Sequence, residues 1–180
     1  MTDLSKAKRF EAMALPHLNS AFNLARWLTR GDQDAEDVVQ EAYLKAFKYF
    51  DRFRGGDGRT WLLAIVRNTF YTEYRNRQAH PQGEEFDEDS YALQEVALAQ
   101  PGINNPESAL TQRQDQRLVH SALESLPVEF REVLVMRELD DLSYRQIADV
   151  IGIPIGTVMS RLSRGRKLLA QVLLRAGQEA

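Results

Sequence analysis

One short segment near the C-terminus constrains the fold of this chain more than any other. Ser143 is followed three residues later by Gln146, the capping-box spacing that predicts the start of a helix. Apolar residues then recur at helical spacing as far as Gly152, where a glycine permits a sharp turn. A second helix is predicted to begin near Ile155 and to run through Arg175. Two helices joined in this way form a helix-turn-helix, whose second helix lies in the major groove of DNA.

The second of these helices has one apolar face and one basic face. At about 100° per residue, a predicted core stripe contains Val158, Leu162, Gly165 and Leu169. The opposite face and its flanks carry small, polar and basic residues: Gly156, Thr157, Met159, Ser160, Ser163, Arg164 and Lys167. Small residues let the backbone approach base edges, Arg164 can bind O6 and N7 of guanine, and Lys167 can meet a phosphate. The alternative is a solvated basic helix packed on a neighbour.

Composition restricts the class of protein. The chain has 180 residues and no cysteine, so it allows one domain or two small ones and excludes disulfides and thiolate metal sites. Its longest apolar run, at residues 61–66, is far too short to span a bilayer, and its N-terminus does not resemble a signal peptide. We therefore expect a soluble, cytoplasmic protein with no membrane insertion.

Charge is segregated along the chain, although the net charge is only −3. Residues 155–175 carry five basic residues and no acid, whereas residues 84–95 carry six acids and no base. Local patches rather than the total decide what a surface attracts, so the negative net charge does not argue against DNA binding.

Helical periodicity without strand-like alternation predicts an all-α fold of two small helical domains joined by a flexible acidic linker. The domains are predicted at residues 1–78 and 106–180, the second containing the helix-turn-helix, with the linker at 79–105. The predicted helices of the first domain cover 6–29 with a break near Pro16, a stretch capped by Asp34 and reaching Phe50, and 59–77. In the second domain, Asn105 is predicted to cap a helix from Pro106 to Ser125, and Pro127 to open the next, up to about Leu139.

The predicted helix at 59–77 carries a second nucleic-acid signal. Opposite a core stripe of Leu62, Leu63, Val66 and Phe70, its outer face combines cations, an amide and an aromatic: Arg67, Asn68, Tyr71 and Arg75, with Trp61 beside the stripe. Bases of single-stranded DNA stack on such rings while cations follow the phosphates. The alternative is an ordinary solvated face with one exposed tyrosine.

The predicted helix after Asp34 presents a different surface. Asp37, Gln40 and Glu41 precede Leu44 and give an acidic, polar face that suits protein docking. A metal site is not expected, because the segment lacks a glycine-centred calcium loop and no histidine stands at ligand spacing. The three histidines are scattered and no nucleophile has a visible base nearby, so we expect neither a cofactor nor enzymatic activity.

Taken together, these residues resemble the bacterial RNA polymerase sigma factors, in particular the small two-domain extracytoplasmic-function group. Three blocks carry the resemblance in order across nearly the whole chain. DAEDVVQEAYLKAF at residues 34–47 resembles the clamp-binding helix of the family, and FRG at 53–55 with TWLLAIVRNT at 60–69 resembles its promoter-melting segment. Three further segments resemble the −35-binding domain of the family: LPVEFREVL at 126–134, LSYRQIA at 142–148 and GTVMSRLSRGR at 156–166.

The resemblance implies an alternative sigma factor that binds core RNA polymerase and promoter DNA and is controlled by an anti-sigma factor. It implies that Asn68 contacts an extruded base of the −10 element and that Asp37, Gln40 and Glu41 belong to the polymerase-binding surface. Ser160, Ser163 and Arg164 match groove-facing −35 positions, and Arg137 and Tyr144 match flanking backbone contacts.

Two other classes of function stay open. A stand-alone DNA-binding regulator would need only the C-terminal domain, and the clamp-like helix argues against it. An adaptor that mimics a sigma factor and sequesters another protein would not need the basic groove face, so Arg164 and Lys167 argue against that class.

Overall fold

A computed structural model describes residues 3–79 and 106–179, and all the regular elements in these two stretches are helices. The eight α-helices are α1 (Asp3–Ala14), α2 (Leu18–Thr29), α3 (Asp32–Lys48), α4 (Gly58–Ala79), α5 (Pro106–Ser125), α6 (Val128–Leu134), α7 (Tyr144–Ile151) and α8 (Ile155–Gln178). Short 3₁₀ turns follow α1 (Leu15–His17) and α3 (Phe50–Arg52), and α6 continues as a π-helical segment (Val135–Leu139). The predicted all-α class with two helical domains is confirmed.

The helix boundaries agree with the sequence predictions to within about three residues. The break predicted near Pro16 is the 3₁₀ turn between α1 and α2. The prediction that Asp34 is an N-cap is wrong, because the extended residue before α3 is Gly31 (φ −147°, ψ 146°) and Asp34 lies in the first helical turn. The predicted linker lies outside the described residues except for Ala79, the last residue of α4, and so does the predicted cap Asn105.

The N-terminal domain (α1–α4) is built around mutually packed α2, α3 and α4. Small residues such as Ala21 and Ala42 are fully buried and let these helices approach closely, while Leu24, Leu63 and Val66 fill the space between them. Helix α1 covers one side through Phe10, whose ring meets Phe47, Phe50 and Tyr43 edge to face at centroid distances of 5.3 to 6.2 Å.

The C-terminal domain (α5–α8) packs α6 and α7 against α8. Arg131 closes the turn between α5 and α6, because its buried guanidinium donates to the carbonyls of Glu124 and Leu126, both at 3.0 Å. These bonds satisfy two of the backbone acceptors left free where α5 ends.

The two domains are packed against each other. Helix α4 contacts α7 and α2 contacts α6, so that Leu63 and Val66 belong to the same buried cluster as Leu134 and Ile147. At the edge of this contact the rings of Trp27 and His120 lie 4.5 Å apart. The surface of α4 that faces α6 and α7 is therefore not free in this arrangement.

Candidate nucleic-acid interface

The helix-turn-helix is set by local bonds that the sequence predicts. The Ser143 hydroxyl accepts from the Gln146 backbone N–H at 3.1 Å, and the Gln146 side chain accepts from the Ser143 N–H at 2.9 Å, which completes the capping box. Helix α7 ends at Gly152, whose φ of 77° is in the left-handed region that favours glycine. Pro154 then precedes α8 and fixes where the second helix starts.

Helix α8 packs against the rest of the C-terminal domain through its predicted apolar face. Val158 and Leu162 are 0% and 1% exposed, and Gly165 is also buried. Gly165 sits so close to α6 that an added Cβ would lie 3.2 Å from Cδ1 of Leu134. The absence of a side chain at Gly165 thus brings α8 against α6 and holds the opposite face toward solvent.

The predicted groove face of α8 is exposed along its length: Gly156, Ser160, Ser163, Arg164 and Lys167 are all open to solvent, Met159 is exposed and Thr157 is half-buried. Within the described residues neither Arg164 nor Lys167 forms an ion pair, whereas neighbouring Arg166 is bound to Glu138 at 2.8 Å. The two cations best placed for DNA are thus unneutralised, and their side chains are available for a base edge or a phosphate.

Arg137 and Tyr144 form one unit beside this face. The Arg137 guanidinium donates to the carbonyl of Leu142 at 2.9 Å and lies 4.9 Å from the centre of the Tyr144 ring. Arg137 belongs to the π-helical segment after α6, a rare conformation that often occurs at functional sites. The hydrogen bond to Leu142 and the Tyr144 ring thus fix the position of the Arg137 guanidinium.

On α4, Asn68 and Arg75 are exposed, as predicted. Asn68 borders an open pocket of about 190 Å³, and the other residues that line it are Lys45, Tyr49, Ile65, Thr69 and Thr72. This pocket is lined by an amide, a cation and an aromatic ring, the kinds of group that bind a nucleobase and its phosphate. Trp61 is half-buried and packs on Phe53, with ring centroids 5.0 Å apart, so it supports the loop before α4.

The structure places Arg67 and Tyr71 differently from the prediction that they face solvent. The Arg67 guanidinium donates through Nε and Nη2 to the two carboxylate oxygens of Glu132 on α6, at 2.8 and 3.0 Å. The same guanidinium lies 4.4 Å from the centre of the Tyr71 ring. Their exposure was wrongly predicted because it depends on the contact between the two domains, which helical periodicity does not report.

Burial and the Arg67–Glu132 contact together set the pKa values of this cluster. It raises the pKa of the fully buried Glu132, and the Arg67 guanidinium opposes that rise. Burial also tends to lower the pKa of Arg67, but the Glu132 carboxylate outweighs it and leaves this pKa above its ordinary value. The pKa of Tyr71 is raised to about 12, by burial first and then by the Glu132 carboxylate. We take the two-point geometry to indicate an ionised pair.

Sequence reasoning missed Glu132 and two further links between the domains. The side-chain amide of Gln146 donates to Asp57 at 2.9 Å, and Arg59 donates to the backbone carbonyl of Asp140 at 3.0 Å. The local signal is weak: Glu132 directly precedes an apolar run, Val133 to Met136. An acid that is buried at such a position needs a partner for its charge.

Comparison with known proteins now decides the family. The family model for sigma-70 region 2 matches residues 13–80, and the model for sigma-70 region 4 matches residues 116–169. The RNA polymerase sigma-H factor of Pseudomonas aeruginosa is 31% identical over 92% of this chain and 86% of its own length. The ECF RNA polymerase sigma-E factor of Escherichia coli is 34% identical over 90% of this chain and 85% of its own length. The chain belongs to the extracytoplasmic-function (ECF) sigma factors.

Solved structures agree with this assignment. The sigma factor RpoE of Bartonella quintana, determined in complex with the anti-sigma factor NepR, is 31% identical and has a TM-score of 0.69, covering 92% of this chain and 97% of its own. CnrH in complex with the cytosolic domain of CnrY has a TM-score of 0.62 over 93% of this chain at 24% identity, a likeness that shows the fold.

As an alternative sigma factor, the protein directs promoter recognition and transcription initiation by core RNA polymerase and is not an enzyme. Region 2 of this sigma factor contains α2, α3 and α4, and region 4 contains the helix-turn-helix. Among residues 3–79 and 106–179, no cluster of potential metal ligands occurs, and no helix there is long and apolar enough to cross a membrane.

The predicted polymerase-binding residues of this sigma factor form one exposed strip on α3. Asp37, Gln40, Glu41 and Leu44 are all open to solvent, and the leucine side chain is 68% exposed. Phe47 extends the apolar end of the strip at 37% exposed. A solvent-exposed leucine and phenylalanine beside a group of acids are typical of a docking surface for another protein.

Proposed function

We propose that this sigma factor uses three separate surfaces, one for each of its tasks. The α3 strip binds core polymerase through Asp37, Gln40, Glu41 and Leu44. Helix α4 binds the opened −10 strand through Trp61, Arg67, Asn68, Tyr71 and Arg75. Helix α8 and its flank read the −35 duplex through Arg137, Tyr144, Thr157, Met159, Ser160, Ser163, Arg164 and Lys167.

The observation that carries this proposal is the free, unneutralised groove face of α8. Arg164 and Lys167 lie on the same exposed side as Gly156, Ser160 and Ser163, so the helix can approach base edges without a bulky side chain between. Arg164 is then the base-reading residue, and Lys167 contacts the backbone. The Ser160 hydroxyl already donates to the Gly156 carbonyl at 3.0 Å, which leaves it as an acceptor toward DNA.

The pocket beside Asn68 supports the second surface. A base turned out of the duplex needs stacking and hydrogen bonds to its edge, and Tyr49 and Asn68, which line the same pocket, offer these. Lys45 lies at the same pocket and can neutralise the phosphate of the extruded nucleotide.

We also propose that the protein works in the cytoplasm, that its domain limits are residues 1–78 and 106–180, and that an anti-sigma factor controls it. The relative from Bartonella quintana, which is 31% identical, was determined with an anti-sigma factor, and this supports the last point.

The polymerase surface is tested with two exposed leucines. Leu44→Asp on α3 is expected to weaken the affinity for core polymerase by roughly tenfold or more, because an apolar contact is replaced by a charge that must be desolvated. Leu110→Asp is the matched control, since Leu110 on α5 is similarly exposed at 62% and lies outside the α3 strip. Equal core affinities of both variants, measured by fluorescence anisotropy, would place the docking surface elsewhere.

A further inference from the structure

We propose that the α4 surface around Arg67 and Tyr71 has two mutually exclusive occupants, the promoter strand and Glu132 of the chain's own C-terminal domain. The packed arrangement of the domains is then a closed state that must open before the −10 strand is bound. The inference rests on the proposed role of α4 in strand binding.

Glu132 fills the position of a DNA phosphate. Its carboxylate accepts two hydrogen bonds from the fork of one arginine, the geometry with which arginine binds carboxylates and phosphates alike. The Glu132 side chain is 0% exposed and that of Arg67 is 16% exposed. While Glu132 occupies Nε and Nη2 of Arg67, these two nitrogens cannot form the two-point contact with a phosphate.

Two further bonds hold the same surface along its length. Asp57 and Arg59, at the start of α4, are bound to Gln146 of α7 and to the carbonyl of Asp140. From Gly58 to Arg67 the helix advances by about 14 Å, so these contacts and the Arg67–Glu132 pair cover more than two turns of α4. Asn68 and Arg75 stay exposed, and the closed state therefore masks only part of the strand-binding face.

The separation of the two promoter elements gives an independent reason why the two domains must move apart. A compact chain of 180 residues has a radius of gyration of about 16 Å. Two promoter elements about two helical turns apart lie on the order of 70 Å from each other. The closed domains cannot place α4 and α8 on both elements, whereas residues 80–105 can reach at most about 90 Å and allow the domains to separate.

The ion pair that covers Arg67 is readily replaced, although opening also separates the buried apolar cluster that Leu63 and Val66 share with Leu134 and Ile147. The attraction within a buried ion pair is largely offset by the loss of hydration of both groups, so exchange of Glu132 for a phosphate costs little. Removal of only one partner instead destabilises the closed state strongly, because the remaining charge is then buried without compensation. This difference provides the first test.

The first test uses Glu132→Gln, with Glu129→Gln as the matched control because Glu129 is exposed on the same helix. The chain has no native cysteine, so fluorophores on Glu11→Cys and Gln171→Cys, both exposed positions, report the separation of the domains by energy transfer. Glu132→Gln is expected to raise the ratio of open to closed molecules by roughly tenfold, since Arg67 loses its counter-charge. Glu129→Gln should match the wild type. An unchanged energy-transfer distribution in Glu132→Gln overturns the proposal.

The second test does not depend on a buried substitution. Asp57→Cys and Gln146→Cys are joined by a short bis-methanethiosulfonate linker, which locks the closed state and is removed by reductant. Mass spectrometry measures the extent of linkage, and the same protein after reduction is the control. With core polymerase on promoter DNA, the linked form is expected to form open complexes at least about tenfold less well than the reduced form, because Glu132 then stays on Arg67.

The outcomes separate the two proposals. A reduced form that fails to open promoters contradicts the proposed function, whereas a linked form that opens them as well as the reduced form contradicts only the closed state. Failure of the two cysteines to be linked also contradicts the closed state, because the side chains they replace are in direct contact.

Discussion

Glu132 on α6 and Arg67 on α4 form a two-point ion pair across the boundary between the two domains, with N–O distances of 2.8 and 3.0 Å. The pair joins the domain that carries α8, the helix proposed to read the −35 element, to α4, the helix proposed to hold the −10 strand. By contrast, the groove face of α8 takes no part in this contact and stays exposed. The domain contact thus covers part of α4 and leaves the groove face of α8 exposed.

Arg164→Ala should weaken binding of the holoenzyme to promoter DNA by about 1–3 kcal/mol and relax its preference at one −35 base pair, because a bidentate contact to a base is lost. Arg175→Ala, near the end of the same helix, should have a much smaller effect. Binding titrations on promoters with each −35 base pair replaced measure both quantities. Equal and sequence-independent losses in the two variants would mean that Arg164 contacts only phosphate.

Asn68→Ala should impair strand opening more than polymerase binding, because the amide borders the pocket proposed for an extruded base. Permanganate footprinting of unpaired thymines, on holoenzyme of confirmed assembly, measures the opening. Asn76→Ala is the matched control, since Asn76 is an exposed asparagine on α4 that does not line the pocket. Normal opening by Asn68→Ala would show that this face of α4 is merely solvated.

The two glycines of α8 should respond oppositely to alanine. Gly165→Ala places a Cβ 3.2 Å from Cδ1 of Leu134, which would have to shift by a few tenths of an ångström. Because Leu134 is only 2% exposed and packed on all sides, we expect this overpacking to cost about 1–3 kcal/mol, more than the gain in helix propensity. An added Cβ at Gly156 meets nothing within 4 Å, so Gly156→Ala should leave the free energy of unfolding unchanged or raise it, while it weakens −35 binding. Urea unfolding and promoter titration of both variants check this, and a stable Gly165→Ala would contradict the packing of α8 on α6.

Asp140 should make folding less favourable as pH rises. Burial raises its pKa to about 6, which Arg59 opposes, and its Oδ2 atom is buried with no hydrogen-bond partner in the structure. Because the folded-state pKa lies above the unfolded one, the contribution of Asp140 to stability is full below pH 4 and is lost as pH rises through about 6.

Asp140→Asn should therefore be more stable than the wild type at pH 7.5, by on the order of 1–2 kcal/mol after solvent screening, and should match it near pH 4. Thermal unfolding of both proteins across this pH range is the measurement. A stability difference that does not change with pH would show that Asp140 keeps an ordinary pKa in the folded protein.

The features that sequence predicts well are those fixed by neighbouring residues. The capping box of Ser143 and Gln146, the turn at Gly152 and the two faces of α8 all follow from spacing within a few residues. The N-cap of α3 was misplaced because Asp34 has a capping side chain, while the residue with the extended backbone is Gly31.

The environment of Arg67 could not be predicted in this way. Its partner Glu132 is 65 positions away along the chain, and periodicity reports only that Arg67 lies opposite the core of its own domain. Domain packing covers that face with a second set of helices, and long-range contacts of this kind leave no local pattern. Glu132 directly precedes an apolar run, but nothing near it in the sequence points to Arg67 as its partner.

The most direct test of the account is in vitro run-off transcription with core polymerase on fragments of the source genome, with start sites read by sequencing. Start sites should be preceded by two shared motifs at constant spacing, and these start sites should be absent with core polymerase alone. Arg164→Ala should change the base preference only in the upstream motif, and Asn68→Ala only in the downstream one. If one substitution altered both motifs, or if neither changed any base preference, the assignment of α8 to the −35 element and of α4 to the −10 element would be contradicted.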